Sequence, residues 1–77
     1  MYKEHEIIAL TKDIPEHRLC AGDIGAIVAV YESGGLEVEF TTAEGDTISV
    51  VTLKTEDVRP LAKREILHVR ELGKLPV

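Results

Sequence analysis

A chain of 77 residues with a formal net charge of −5 forms one small domain and lacks the basic surface that a phosphate-backbone binder needs. With 44% apolar and 30% charged residues, its composition is that of a folded domain rather than an intrinsically disordered one. Cys20 is the single cysteine, so no disulfide framework is available, which is typical of a reducing compartment.

The sequence also argues against a membrane-spanning or secreted chain. No apolar run approaches the ~20 residues that cross a bilayer. The opening stretch, MYKEHEIIAL, has acids inside it and no small-residue cleavage site, unlike a secretory signal. We therefore expect a cytoplasmic protein.

Apolar residues recur mostly with a period of two, which predicts short β-strands. In chain order the predicted strands cover 6–10, 24–31, 36–40, 47–53 and 58–60, with hairpin turns at 32–35 and 43–46 and a helical turn at 54–57. A long polar loop with apolar Ile14 and Leu19 separates the first two strands. In the fourth strand the inward-facing residues change phase, so we expect a β-bulge near Val50.

This order of elements predicts a mainly β fold, a small five-stranded SH3-like barrel over residues 1–60. Closing the sheet on itself would hide the edges of so short a chain. The predicted core consists of Ile8, Leu10, Ile14, Leu19, Ile24, Ile27, Val28, Val30, Val38, Phe40, Ile48, Val50, Leu53 and Val58.

Residues 61–77 form a separate C-terminal extension. Good helix formers, the spacing of Ile66, Val69 and Leu72, and a glycine at 73 predict a helix, although the alternation in 67–70 also allows an added strand. The extension is the most basic part of the chain. Its apolar side must cover either its own barrel or a neighbouring chain.

The stretch GDIG in residues 22–25 raises the question of a phosphate site. Such a site needs a strand before the glycines and a helix after them, whereas here a strand follows and Asp23 would repel a phosphate. We interpret Gly22 as allowing a sharp turn and Gly25 as allowing either a kink or the close approach of a crossing strand.

The blocks ALTKDIPEH, AGDIGAIVAVY, LEVEFTTAEGDTISVVTL and DVRP, spanning about Glu6 to Pro60, together resemble a small bacterial family, domain of unknown function 4926. This resemblance implies a fold more than an activity, because the family has no established activity. The extension from Leu61 departs from it. GDIGAIVAVY is more loosely similar to the KOW segment of SH3-like barrels, which would imply RNA binding, but the acidic charge argues against that.

Residues that could bind metal or act in catalysis are few. His17 and Cys20 lie three apart in the first loop, yet the sequence has no CxxC or HExxH spacing. The acids near Cys20 argue against an activated nucleophile at this position. We therefore predict no catalytic residue, no cofactor and no metal site.

The predicted function is that of a non-enzymatic protein-binding module. The predicted partner-binding residues are Asp13, Glu16 and Asp23 in the first loop, Tyr31 at the end of the second strand, and Ile66, Val69 and Leu72 in the extension. The acids would form a lip that receives basic side chains, and the extension would dock a second copy or another protein. Two alternatives remain open: an acidic antitoxin or immunity-type protein that neutralises a basic toxin or nuclease, and an RNA-associated barrel.

Overall fold

The computed structural model describes residues 1–72, which contain five β-strands and two short 3₁₀ turns. The strands are β1 (Ile7–Leu10), β2 (Ile24–Val30), β3 (Leu36–Thr41), β4 (Thr47–Leu53) and β5 (Val58–Pro60), and the 3₁₀ turns cover Pro15–His17 and Thr55–Asp57. All five predicted strands and the helical turn before the last one are therefore confirmed. Within residues 1–72, no helix has the length and apolar character needed to cross a membrane.

The strands form one antiparallel sheet in the order β4-β3-β2-β1-β5. β5 returns to pair with β1, so that Leu10 lies opposite Val58. In the described residues β4 and β5 do not pair, and the predicted closed barrel is therefore wrong. The first loop lies in the gap, where residues 12–17 and β4 line the two sides of a groove of about 600 Å³.

One cluster of inward-facing side chains forms the core. Its buried members are Ile8, Leu10, Ile14, Leu19, Ile27, Leu36, Val38, Phe40, Val51, Leu53 and Val58. Most of the predicted core is confirmed. Ile24 and Ile48 are half-buried, whereas Val28, Val30 and Val50 are 41%, 40% and 47% exposed, so these three assignments are wrong.

Two β-bulges explain most of these exposed valines. The register of β2 against β3 shifts around Val28, and that of β4 against β3 shifts around Ile48. Each bulge adds a residue that the partner strand does not match, which changes the face of the residues beyond it. The bulge on β4 thus lies at Ile48 rather than near Val50, and it places Val51 inward and Val50 outward.

The two glycines of GDIG have the predicted roles. Gly22 has φ +94°, in the left-handed region that favours glycine, and it makes the turn into β2. Gly25 is buried against side chains of the neighbouring strand β3: a Cβ there would lie 2.7 Å from both Phe40 Cε1 and Val38 Cγ1. Any larger residue would force these two side chains to shift.

The C-terminal extension is neither a helix nor an added strand over residues 61–72, so the predicted helical extension is wrong there. Ile66 and Val69, two members of the expected apolar stripe, are 96% and 88% exposed. A short helix is marginal unless an apolar face packs against something, and these side chains find no such surface. Gly73, the predicted end of the helix, lies outside the described residues.

Candidate binding site at the first loop

The first loop (residues 11–23) has a fixed shape because its apolar residues pin it to the core. Ile14 and Leu19 form an isolated antiparallel bridge, in which the Ile14 N–H donates to the Leu19 carbonyl at 2.8 Å. Their side chains are only 6% and 4% exposed. The 3₁₀ turn between them therefore projects from a buried base, and the loop can hold polar groups in a defined geometry.

Two of the three predicted loop acids bind the loop's own backbone. Asp13 Oδ1 accepts a hydrogen bond from the Ala21 N–H, and Asp23 Oδ2 accepts one from the Cys20 N–H, both at 2.8 Å. Glu16 lies on the exposed 3₁₀ turn and lines the groove beside β4. Asp13 lines the same groove as Glu16, whereas Asp23 lies at a separate cleft, so the predicted acidic lip is divided between two places.

Asp23 holds a guanidinium group from the extension. Arg70 Nε donates to Asp23 Oδ1 at 2.9 Å, and Arg70 Nη2 donates both to Asp23 Oδ2 at 2.6 Å and to the Arg18 carbonyl at 2.7 Å. This fork matches the two oxygens of a carboxylate, a geometry specific to arginine. We call the Asp23 carboxylate and the Arg18 carbonyl together the arginine notch.

The charges in the notch stabilise one another. Partial burial raises the pKa of Asp23, but the bonds from Arg70 and from the Cys20 N–H outweigh it and hold that pKa below its ordinary value. The bond to the same carboxylate raises the pKa of Arg70. Both side chains are mostly shielded, with exposed fractions of 25% for Arg70 and 18% for Asp23. The notch is therefore ionised at neutral pH.

A cleft of about 420 Å³ adjoins the notch, between the extension and the β3–β4 hairpin. Its apolar lining includes Leu19, Ile24, Phe40 and Ile48 from the sheet side and Val69 and Leu72 from the extension. The structure thus brings three predicted partner-binding residues, Asp23, Val69 and Leu72, to one place. The cleft and the adjoining notch together present a charged group, the Asp23 carboxylate, and an apolar surface.

Two other predicted residues lie away from this cleft. Ile66 is 96% exposed. Tyr31 lies on the outer face of the sheet, where its hydroxyl donates to Glu37 Oε1 at 3.1 Å and so raises the pKa of Tyr31. Thr52 Oγ1 donates to the same carboxylate oxygen at 2.7 Å. Glu37 is therefore satisfied by its neighbours on the sheet.

The histidine and cysteine of the first loop do not form a pair. His17 Nδ1 lies 3.1 Å from Ser49 Oγ on β4, while Cys20 is a half-buried free thiol. Within residues 1–72, no group of three histidine, cysteine or acidic side chains is placed to hold a metal ion.

Residues 4–60 match the family described as "Domain of unknown function (DUF4926)". The chain belongs to this family. The resemblance predicted from the sequence is thus confirmed, while neither a curated protein nor a solved structure is similar enough to count as a match. The DUF4926 span contains the whole first loop and Asp23, whereas Arg70 lies beyond it.

Sequence reasoning missed Arg70 and the Arg18 carbonyl as parts of the site. Two signals were available: the extension is the most basic part of the chain, and the first loop collects acids. Which arginine meets which acid depends on a contact between residues 47 positions apart. The path of an irregular segment is not encoded in any local pattern, so that pairing could not be derived.

Proposed function

We propose that this DUF4926 protein is a non-enzymatic protein-binding module that takes an arginine side chain of a partner into the arginine notch. The observation that supports this proposal is the bidentate bond of Asp23 to Arg70, completed by the Arg18 carbonyl. A loop that already holds one guanidinium has the geometry to hold another. Arginine is preferred over lysine, because lysine cannot form the fork.

The present occupant is suited to exchange. Arg70 is carried by a segment without regular structure, and the preceding residue, Val69, is 88% exposed. No residue of 61–72 is buried, so Arg70 is held mainly by polar contacts, and we expect a partner with additional apolar contacts to compete with it. The net charge of −5 attracts basic partners over a distance.

The cleft beside the notch indicates which residues should accompany the arginine of the partner. Phe40 and Ile48 supply part of an apolar floor next to the bound guanidinium. The occupant that fits is an extended segment with an arginine beside one or two apolar residues. Residues 66–72, ILHVREL, follow this pattern in the chain itself.

The test is a titration of the full-length R70A variant, whose notch is free, with a synthetic ILHVREL peptide. We expect the NMR signals of Arg18, Cys20 and Asp23 to shift, and we expect weaker binding to the wild-type chain, where Arg70 competes. The same peptide with lysine in place of arginine is the matched control and should bind at least about tenfold more weakly. Equal binding by a D23N/R70A chain would contradict the proposal.

The other two functions considered from the sequence gain no support from the geometry. A neutraliser of a basic toxin needs several acids grouped on one surface, whereas Asp13 and Asp23 lie at different clefts and Asp23 already binds Arg70. An RNA-associated role needs basic surface, which a net charge of −5 does not supply.

A further inference from the structure

The carboxylate of the arginine notch lies at the end of a tight turn. Residues 20–23 form a four-residue turn, in which the Asp23 N–H donates to the Cys20 carbonyl at 3.0 Å. Gly22, at the third position, has φ +94°, as a type II turn requires. The Gly22 N–H donates to the Leu10 carbonyl at 2.8 Å, which joins the turn to β1. The direction of the Asp23 side chain therefore depends on how firmly this turn is held.

Carboxylate oxygens accept the other two N–H groups of the turn. The Cys20 N–H donates to Oδ2 of Asp23, which belongs to the turn itself, at 2.8 Å. The Ala21 N–H donates to Oδ1 of Asp13, eight positions earlier in the chain, at 2.8 Å. Within residues 1–72, Asp13 is the one residue outside the turn whose side chain accepts a hydrogen bond from the turn's backbone. Asp13 therefore ties the turn to the opposite arm of the first loop.

Asp13 itself lies on a fixed base. It precedes Ile14, whose side chain is 6% exposed and whose backbone forms the bridge to Leu19. Asp13 lines the groove beside β4, whereas Arg70 lies at the separate cleft beside the notch. Among the described residues 1–72, no hydrogen bond or ion pair joins Asp13 to Arg70. Asp13 can therefore act on a bound arginine through the turn or through the field of its charge, but not by contact.

We propose that Asp13 is a positioning residue of the arginine notch: its Oδ1 atom holds the Ala21 N–H and thereby sets the direction of the Asp23 carboxylate. This role needs an acceptor oxygen at position 13, not a negative charge. It differs from the role expected of an acidic lip, in which each acid would itself receive a basic side chain. The role rests on the proposed function, since it concerns the same notch, but the contact with Arg70 allows it to be tested without a partner.

The binding of a guanidinium depends strongly on the direction of the carboxylate. Arg70 Nε and Nη2 each bind one oxygen of the Asp23 carboxylate, at 2.9 and 2.6 Å. Nη2 also donates to the Arg18 carbonyl, at 2.7 Å. A rotated carboxylate keeps at most one of the two parallel bonds, whereas a lysine ammonium, which binds as a point charge, loses little. Releasing the turn should therefore reduce the preference for arginine over lysine as well as the affinity.

The experiment compares D13A with D13N in the full-length R70A chain by titration with the ILHVREL peptide. Asparagine keeps an acceptor oxygen without the charge, and alanine has neither. We expect D13A to weaken binding about tenfold and to narrow the difference from the lysine-containing peptide, while D13N should bind as R70A does. E16A removes another exposed acid that lines the same groove, so it is the matched control and should leave binding unchanged. D13A should fold, because the buried bridge at the base of the loop is untouched.

The pKa of Asp23, measured by NMR in chains that retain Arg70, tests the same role without a peptide. Removing a nearby negative charge lowers the pKa of a carboxyl group, so loss of the Asp13 charge alone should not raise the pKa of Asp23. Loss of the bonds from Arg70 and from the Cys20 N–H should raise it, because these bonds now lower it. We therefore expect the pKa of Asp23 to rise in D13A and not in D13N.

The two measurements separate this role from the proposed function. Equal peptide affinities of the D13A and D13N chains, or equal pKa values of Asp23 in the two, would overturn the role of Asp13. If the R70A chain binds no peptide, the proposed function fails, and the comparison of pKa values still decides whether Asp13 positions the notch.

Discussion

The sheet and the C-terminal extension of this chain are held in place by different forces. The sheet surrounds one cluster of buried side chains, among which Ile8, Ile27 and Val38 are fully shielded from water. None of residues 61–72 is buried, and the ion pairs of this segment are Arg59–Glu65 and Arg70–Asp23. Apolar burial resists salt and acid, whereas ion pairs do not. We therefore expect high salt or low pH to release the extension without unfolding the sheet.

The largest effect should come from filling the space at Gly25. In G25A the new methyl group would meet Phe40 and Val38 at 2.7 Å, so these core side chains must shift from their present packing. We expect the free energy of unfolding to fall by about 1–3 kcal/mol, measured by urea denaturation. G35A is the matched control: a Cβ at Gly35 would contact Tyr31 at an ordinary 3.5 Å. Equal stability of the two variants would show that Gly25 is not closely packed against Phe40 and Val38.

A smaller effect, confined to the attachment of the extension, should come from removing the Arg70 guanidinium from the arginine notch. The ordinary pKa of an aspartate such as Asp23 is 3.8, and the folded protein lowers it. The contribution of this group to stability is therefore complete above that value and is lost as the pH falls through the lower, folded-state pKa. In R70Q partial burial remains while the guanidinium is gone, so we expect the pKa of Asp23 to rise.

The titration is followed by NMR of the Asp23 carboxyl carbon in the wild type and in R70Q. R64Q, which removes a positive charge from an exposed position of the same segment, is the control and should leave the Asp23 pKa unchanged. The loss of unfolding free energy in R70Q should be about 1–2 kcal/mol, more than for a fully exposed pair, because both side chains are partly shielded. An unchanged pKa in R70Q would mean that the extension is not bound at the notch.

The smallest effect should come from removing the Glu65 carboxylate, which lies where the extension follows β5. Bonds from Arg59 and from the Ala62 N–H lower the pKa of Glu65 to about 2. In E65A we expect faster hydrogen exchange of the Ala62 amide with no measurable change in melting temperature, because the pair lies at the surface. E71A, at another exposed acid, should leave that amide unaffected. A lowered melting temperature would indicate that the extension supports the sheet after all.

The strands were predictable because alternation is a local signal. Leu36, Val38 and Phe40 alternate with polar residues, and β3 indeed buries these three side chains. In runs of β-branched residues the same signal is ambiguous. Either Val50 or Val51 could face inward, depending on the register of β4 against β3. That register is set by contacts between the two strands and cannot be read from the residues of β4 alone.

The extension was mispredicted for a related reason. The spacing of Ile66, Val69 and Leu72 is a genuine helical pattern, but a helix forms only if a surface receives its apolar face. Beside the sheet lies the first loop instead, and its Asp23 carboxylate binds Arg70. Whether residues 61–72 form a helix or attach through Arg70 depends on the whole surface of the folded domain. Local propensity could not decide it.

The pairing of the first strand with the last has a consequence for how the chain folds during synthesis. β2, β3 and β4 are neighbours along the chain and can form their hairpins as they emerge, with little loss of chain entropy. The Ile8–Pro60 pair joins opposite ends of the domain, so β1 keeps an open edge until β5 is made. A nascent chain that stops before Val58 therefore presents the unpaired edge of β1 and an incomplete core, and exposed edges and apolar surface make such a chain prone to aggregate.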